Sequence, residues 1–406
     1  KSTLHAFSFE PQMSLSPGHP KVNVVPVQGL PIGTPGIAAA IERKAGKISD
    51  PIQRLQYLRQ ATTTPGDHAF NRRFQHLASI LLLAAVVPLC SDARIRRQPD
   101  TLPRLPAVRT ASFDVPNVWV VETSRDFETY SNGLRIEDRL AVANKPRSFP
   151  LISRAGGQYG PRRSQPAGIV FHTTESDQAP FEATQKQRLQ RIGQELLQFV
   201  RGRRAYHFVI DRFGRVHRIV VESDDANHAG NSVWADSEWT YLDLNSSFLG
   251  VAFEASMATD QPPINQAQVH AARVLTEMLR SKYNLAAENC ITHAQVSVNP
   301  DNMHVGWHAD WGKDFPFREI GLPQNYELPL PSLFLFGFDY DPIYQSATGP
   351  ELWRGLALAE EQLRQAAQKR HMAVAEYKGL LQREYRDRIA ALRHRSADQE
   401  NSDESK

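Results

Sequence analysis

Cysteine is almost absent from this 406-residue chain, which contains only Cys90 and Cys290. Two cysteines are too few for a disulfide framework, and these two lack the paired spacing of a zinc-ribbon site. Charge of one sign is also missing, since 47 Lys and Arg residues against 44 Asp and Glu residues leave a formal net charge of +3. This balance gives no reason to expect nucleic acid as a partner. The length allows two or three domains and a substantial core.

Long hydrophobic runs are scarce as well. The run LASILLLAAVVPL has thirteen mostly apolar residues, which is too short to span a bilayer comfortably; NRRFQH precedes it and CSDA follows it. A basic start, a short apolar run and small residues after it are typical of a secretory signal peptide. We therefore interpret residues 71–93 as signal-peptide-like, with cleavage after Ala93 and with Cys90 as a candidate for lipid attachment. A buried core helix is the alternative interpretation.

The N-terminal third of the chain has little periodicity. Residues 1–93 are rich in Pro, Gly and Ser before the apolar run, so they are predicted to be a poorly ordered leader. Residues 94–152 are predicted to be an Arg/Pro-rich linker followed by a small β-rich element, because NVWVVET and RLAVANK alternate apolar and polar side chains. Export would place the working protein outside the cytoplasm, either secreted or in the periplasm or cell envelope.

Residues 153–323 show strands that alternate with helices. IVFH and LGVAFEA have the composition of buried strands, whereas residues 184–201 and 264–283 repeat apolar side chains at helical spacing. This alternation predicts a mixed α/β domain.

The C-terminal part is predicted to contain three segments. Residues 324–347 are rich in Pro, Phe and Leu and are predicted to be an extended linker. Residues 348–396 have a narrow apolar stripe on a charged background, which predicts one long helix that is docked or forms a weak coiled coil. Such a helix could tether the protein to the envelope or mediate self-association. Residues 397–406 are predicted to be a disordered tail.

Two histidines and one aspartate are the strongest candidates for chemistry. His172 ends the strand in GIVFHTTE, His293 ends another apolar stretch in CITHAQVS, and Asp310 lies in the loop sequence WHADWGKDFPF. Two imidazoles and one carboxylate would give zinc three protein ligands and leave the fourth position for water, as catalysis requires. Fourteen histidines offer many chance combinations, and His304 and His308 compete with Asp310 as the third ligand.

The order of several motifs resembles that of the type 2 N-acetylmuramoyl-L-alanine amidases, whose fold is shared with peptidoglycan recognition proteins. The resemblance covers well under half of the chain. The motifs that carry it are GIVFHTTE, AYHFVIDRFGRVHRIV, NHAGNSVW, NSSFLGVAFEAS, ITHAQVS and HADWGKDFPF.

The resemblance implies a fold, an activity and a set of site residues. The fold is α/β, with a mixed β-sheet flanked by helices and a zinc site in a groove that binds peptidoglycan. The activity is cleavage of the amide between the muramic acid lactyl group and L-alanine. The implied zinc ligands are His172, His293 and Asp310, and the register of GKDFPF favours Asp310 as the third ligand. The predicted substrate-binding residues are Tyr206, His228, Asn231 and Trp234.

Two positions depart from the family pattern. Where active members usually have a glutamate, this chain has Ala252, and Glu254 follows two residues later on the same face of the strand, about 7 Å along it. Glu254 is predicted to be either the general base or a solvated surface carboxylate. Where many members have a lysine, this chain has His308, which would have to be protonated to stabilise a developing oxyanion. A merely structural His308 is the alternative.

Three functional hypotheses follow from these residues. The first is a secreted zinc amidase that acts on peptidoglycan, and retention of all three ligands favours it. The second is a catalytically inactive peptidoglycan-binding module that keeps its zinc site, which the two departures support. An unrelated zinc hydrolase is less favoured, because NHAGNS and FLGVAFEAS have no reason to accompany a generic site. Cys290 is predicted to be a buried thiol rather than a ligand.

Overall fold

The computed structural model describes residue 115 and residues 117–154, 157–257 and 263–403, with side chains as far as residue 392. The predicted leader, its signal-peptide-like segment and its candidate lipid-attachment cysteine lie outside the described residues. Within the described part of the chain, no helix is long and apolar enough to cross a membrane.

The described strands form one large sheet and two smaller ones. Their order in the large sheet is β1-β2-β3-β8-β7-β11-β6-β12, and the second sheet has the order β5-β4-β10-β9. In chain order the strands are β1 (Val120–Thr123), β2 (Phe127–Tyr130), β3 (Arg135–Glu137), β4 (Phe149–Ser153), β5 (Tyr159–Arg163), β6 (Gly168–Thr173), β7 (Phe208–Ile210), β8 (Val216–Arg218), β9 (Val233–Ala235), β10 (Trp239–Leu242), β11 (Phe248–Phe253), β12 (Cys290–Thr292), β13 (Val298–Asn299) and β14 (His304–Val305).

The large sheet is mixed, as predicted. Strand β6 pairs in parallel with β11 and β12, whereas β7 and β8 are antiparallel. All six residues of β6 and of β11 are buried, which is expected of parallel strands covered on both faces. The pairing sets Ala252 opposite His172. The ends of these neighbouring strands therefore present adjacent side chains at one edge of the sheet.

Helices cover both faces of this sheet. The described α-helices are α1 (Lys186–Arg203), α2 (Leu244–Ser247), α3 (Gln266–Tyr283), α4 (His293–Val296), α5 (Pro331–Phe336), α6 (Pro342–Ala347), α7 (Pro350–Lys369) and α8 (Val374–Asp403). Helix α3 begins at a capping box formed by Asn265 and Gln268 and packs in the same core as Phe171. Helix α1 packs against Ala252 through Leu197. Because alternate residues face opposite sides, His172 shares the α1 side with Ala252.

The predicted small β element is present, but its strands complete the two sheets. Strand β3 pairs in parallel with β8, and β4 pairs with β10. Arg147, just before β4, is buried under the large sheet, where its guanidinium donates to the backbone carbonyls of Glu222, Ser246 and Asp224. This part of the chain is therefore integral to the fold.

The C-terminal part differs from its prediction. The expected extended linker contains α5 and α6, because Pro331 and Pro342 occupy first-turn positions that favour helix starts and Asp341 caps α6 by accepting from the Tyr344 amide. The expected single helix is divided into α7 and α8 by a break at His371, whose φ is +53°. Helix α8 also continues into the predicted disordered tail as far as Asp403.

The apolar stripe of these helices is used within the chain. Leu352, Leu356 and Tyr385 are buried in the same core as Phe171. The stripe predicted to support self-association therefore packs on the chain's own domain. Helix α6 also braces α4, which begins at His293, since the Tyr344 hydroxyl donates to the carbonyl oxygen of Ala294 at 2.7 Å.

Candidate metal centre and active site

The structure brings His172, His293 and Asp310 together. One potential ligand atom from each lies within 4.8 Å of the others. His172 is in β6, and His293 follows β12, which pairs in parallel with β6 so that Thr292 lies opposite Phe171. The two imidazoles are consequently neighbours, with ring centroids 4.4 Å apart.

Asp310 lies between the two imidazoles. Its Oδ1 atom is 2.8 Å from Nδ1 of His293, and its Oδ2 atom is 3.3 Å from Nδ1 of His172. Its backbone carbonyl accepts from the amide of Ala294 at 3.1 Å, which ties the loop to α4. Burial alone would raise the pKa of Asp310, but the neighbouring imidazoles of His293 and His172 outweigh it and hold the pKa far below its usual range. The carboxylate is therefore ionised.

The donor set fits a zinc ion. Nitrogen and oxygen ligands bound to tetrahedral zinc at about 2.0–2.1 Å lie roughly 3.3 Å from one another, and the nitrogen-to-oxygen distances here are 2.8 and 3.3 Å. Burial and the neighbouring His293 lower the pKa of His172 to about 4, so this imidazole is neutral at neutral pH. A neutral imidazole is the form that binds metal. The other ring nitrogen of His293, Nε2, is buried without a hydrogen-bond partner, so no hydrogen bond prevents it from binding a metal.

His308 lies beside the three residues without joining them. Its ring stacks on that of His293, with centroids 5.0 Å apart. Burial and the neighbouring His293 lower the pKa of His308, which disfavours the protonated form that the predicted oxyanion role requires. His304 is the other competing histidine, and its Nδ1 contacts the carbonyl oxygen of Asn302 at 2.7 Å. The geometry therefore favours Asp310 as the third donor.

Glu254 is on the predicted face but is directed elsewhere. It is only 2% exposed, so the alternative of a solvated surface carboxylate is wrong. Its Oε2 atom accepts from the Arg212 amide at 3.0 Å and lies 3.3 Å from the place where a Cβ on Gly193 would be. Burial raises the pKa of this carboxyl group. These contacts direct Glu254 toward α1 and the β7–β8 turn, and they give no support for Glu254 as the general base.

Residues 162–313 match the model of the family described as N-acetylmuramoyl-L-alanine amidase. This segment is an amidase domain of that family. The match contains all three metal-centre residues and begins after Arg147, so the first four strands precede it. The resemblance found in the sequence is thereby confirmed for this part of the chain, and membership of the family supports hydrolysis of peptidoglycan.

Solved structures that resemble the chain include amidases and a recognition protein. The amidase LysC from Clostridium intestinale is 21% identical, covers 44% of this chain and 93% of its own, and has a TM-score of 0.25. AmiD from E. coli is 18% identical, covers 56% of this chain and 91% of its own, and has a TM-score of 0.31. Drosophila peptidoglycan recognition protein SD is 20% identical, covers 39% of this chain and 84% of its own, and has a TM-score of 0.25. A search of curated proteins finds no match.

Two of the predicted substrate contacts of the amidase domain lie inside the protein. Trp234 is 2% exposed, and its indole N–H donates to Oδ1 of Asn289 at 3.0 Å. Strand β9 directs it into a core cluster with Val170, so Trp234 packs inside the protein and is not positioned to bind substrate. His228 is buried, and its Nδ1 is 3.1 Å from Nε2 of His172. It therefore lies behind a predicted ligand rather than facing a substrate.

The other two predicted contacts are accessible or lie beside the metal centre. Asn231 is exposed, and its carbonyl accepts from the Val298 amide at 3.0 Å. Tyr206 has a φ of +64°, a conformation that is uncommon for a bulky residue. Its ring centroid is 5.2 Å from that of His172. Burial, together with the charges of Asp310 and Glu175, raises the pKa of the Tyr206 hydroxyl, so this hydroxyl remains a hydrogen-bond donor.

A cavity of about 660 Å³ adjoins the metal centre of the amidase domain through Tyr206. Residues 174–177 form one wall, and the exposed face of α1 forms the other with Ile192, Leu196 and Phe199. Arg203 also lines it. The volume lies within the range of about 300–1,000 Å³ that is usual for small-ligand sites. The walls provide apolar, cationic and acidic contacts.

Trp307 is a candidate that the sequence analysis did not select. Its side chain is 64% exposed, and its ring meets that of His308 edge-on at a centroid distance of 6.4 Å. A large exposed aromatic ring next to a polar site is typical of a binding surface. The available signal was its position three residues before Asp310 in a loop that cannot form regular structure.

Proposed function

We propose that this protein is a zinc-dependent peptidoglycan amidase that hydrolyses the amide bond between N-acetylmuramic acid and L-alanine. The observation that carries the proposal is the convergence of His172, His293 and Asp310 within an amidase-family domain. When bound there, zinc supplies Lewis acidity, which polarises an amide carbonyl and makes water acidic enough to react at neutral pH. The predicted export segment supports action outside the cytoplasm.

The surrounding side chains have complementary roles in this proposal. Tyr206 keeps its proton and lies beside His172, so its hydroxyl can donate a hydrogen bond to a substrate carbonyl. His308 stacks on His293, and its lowered pKa favours the neutral form, which can accept a proton and later return it to the leaving amine. The cavity along α1 and the exposed Trp307 provide surfaces on which peptide and sugar can lie.

Removal of metal from the purified protein is expected to abolish release of peptide from cell-wall sacculi. The reason is that the three donors alone provide no group to polarise the amide. The measurement combines zinc content by mass spectrometry with detection of new L-alanine amino termini, before and after chelation. Zinc restores the activity if the proposal is correct. Unchanged release after complete loss of metal would contradict it.

A catalytically inactive binding module is the second candidate function. It is favoured by Ala252, which lies opposite His172 in the sheet, and by the direction of Glu254 away from the donors. Muropeptide binding by calorimetry and turnover on the same preparation separate the two functions. Zinc-dependent binding without any turnover, under conditions in which an active amidase works, would favour the module.

Replacement of Trp307 by alanine is expected to raise the KM for muropeptides about tenfold, because burial of a large aromatic ring contributes roughly 1–2 kcal/mol to binding. Zinc content and thermal stability should remain unchanged, since the side chain is exposed. Trp119→Ala is the matched control, because Trp119 is 61% exposed and lies beside the edge strand β1. Equal effects of the two substitutions would remove Trp307 from the substrate surface.

A further inference from the structure

A chain of hydrogen bonds beneath His172 determines which of its nitrogens faces Asp310. Nε2 of His228 lies 3.3 Å from the backbone carbonyl oxygen of Phe248. A carbonyl oxygen only accepts hydrogen bonds, so Nε2 of His228 carries the proton. A neutral imidazole has one such proton, so Nδ1 of His228 is an acceptor. The 3.1 Å contact with His172 is therefore a hydrogen bond donated by Nε2 of His172.

The consequence is a bare nitrogen at the metal centre. A metal-binding nitrogen is unprotonated; with the proton of His172 on Nε2, the nitrogen left to bind metal is Nδ1, which lies 3.3 Å from Oδ2 of Asp310. Two lone pairs at this distance repel unless a cation lies between them. The opposite proton arrangement would let His172 donate to Asp310, but it would leave the bare Nε2 of His228 against the Phe248 carbonyl. Two facing acceptors in a buried site are strongly unfavourable.

On this basis we propose that His228 is a positioning residue, which accepts a hydrogen bond from Nε2–H of His172 and thereby fixes Nδ1 of His172 as a metal donor. This inference rests on the proposed metal centre and replaces the substrate-contact prediction for His228. Metal-binding histidines generally use their second nitrogen in this way, which orients the ring and fixes the tautomer.

The packing around His228 supports this role. Its side chain is only 9% exposed, and a Cβ atom on Gly250 would lie 2.6 Å from its Cγ atom. The ring therefore cannot turn toward substrate without displacing β11. Arg147 contributes from the opposite side, since its Nη1 donates to the same Phe248 carbonyl at 3.3 Å and to the Ser246 carbonyl at 2.6 Å. Arg147 precedes the segment that matches the amidase family. The N-terminal part of the chain therefore helps to hold the Phe248 carbonyl that accepts from His228.

The direct test is the tautomer of each ring in the zinc-loaded, full-length protein. Nitrogen-15 spectra of histidine-labelled protein distinguish protonated from bare ring nitrogens, and a His228 variant assigns the signals. The proposal expects a protonated Nε2 on both rings, a metal-bound Nδ1 on His172 and a bare Nδ1 on His228. A proton on Nδ1 of either ring would overturn it. This readout does not depend on activity: bound zinc together with a proton on Nδ1 of His228 would contradict this inference alone, whereas absence of zinc binding would contradict the proposed function.

Variants then test the link to metal. His228→Leu removes the acceptor and is expected to weaken zinc binding about 10–100-fold, as is typical when such a partner is lost. His228→Asn places an acceptor oxygen near the original Nδ1 and should recover most of that affinity. His217→Leu is the control, because His217 is also buried but contacts Asp211, which keeps its pairing with Arg215 at 2.6 Å.

The measured quantity is the zinc dissociation constant from competition with a chromophoric chelator. Equal affinity losses in His228→Leu and His217→Leu, or no recovery in His228→Asn, would contradict the positioning role. If His228→Leu does not fold, the comparison of His228→Asn with the wild type and the tautomer measurement still decide the question.

Discussion

Replacement of His172 by alanine is expected to reduce peptide release from sacculi by at least about 10³-fold, because loss of the metal's Lewis acidity removes several kcal/mol of transition-state stabilisation. The same substitution should lower the zinc content of the purified protein, since two donors remain of the three that converge. Turnover and bound zinc are measured on the same sample, and circular dichroism confirms that the variant is folded.

His304→Ala is the matched control for this experiment. His304 is a partly exposed histidine close in sequence to Asp310, but its Nδ1 contacts the carbonyl oxygen of Asn302 rather than the donors. It should retain near-normal zinc content and turnover. If His172→Ala kept full activity, or if both substitutions had the same effect, the proposed metal centre would be wrong.

Replacement of Leu356 by alanine is expected to lower the free energy of unfolding by about 2–5 kcal/mol, as large-to-small substitutions in a core do. Leu356 is 2% exposed on α7 and packs in the same core as Phe171 of β6. Such a loss is a large fraction of the roughly 5–15 kcal/mol that stabilises a typical domain. Denaturant unfolding followed by fluorescence measures the effect.

Leu358→Ala provides the comparison on the same helix. Leu358 is 40% exposed, so its truncation should change stability by no more than about 0.5 kcal/mol. Equal effects at positions 356 and 358 would mean that α7 does not pack as described. Activity loss in Leu356→Ala that tracks unfolding would show that the C-terminal helices support the site through stability.

The sequence was most informative where chemistry and strand order coincide. His172 lies near the end of one buried strand and His293 directly follows another, and the ends of neighbouring parallel strands lie at one edge of a sheet. Asp310 was identified by the register of its loop within a recognisable motif order. Strand composition and motif order can be read directly from the amino-acid sequence, so these three residues could be identified without the structure.

The environments of single side chains were harder to predict. Strand alternation correctly set Glu254 on the face of His172, but only the packing of α1 and the Arg212 amide determine where its carboxylate points. Trp234 and Trp307 are similar in sequence context, yet one is buried against Asn289 and the other is exposed beside His308. Burial depends on contacts between distant segments, which composition and spacing do not encode.

The sequence by itself therefore indicated a mixed α/β domain from its strand and helix patterns, and the resemblance of its motif order to the amidase family implied the mixed sheet and the three donors. Only the tertiary structure decided that His228 contacts His172 while Arg147 shares the Phe248 carbonyl with His228, and that α5 to α8 pack into the core. The physical reason is that hydrogen-bond partners and burial are set by long-range packing, and residues far apart in the chain meet only when the whole domain has folded.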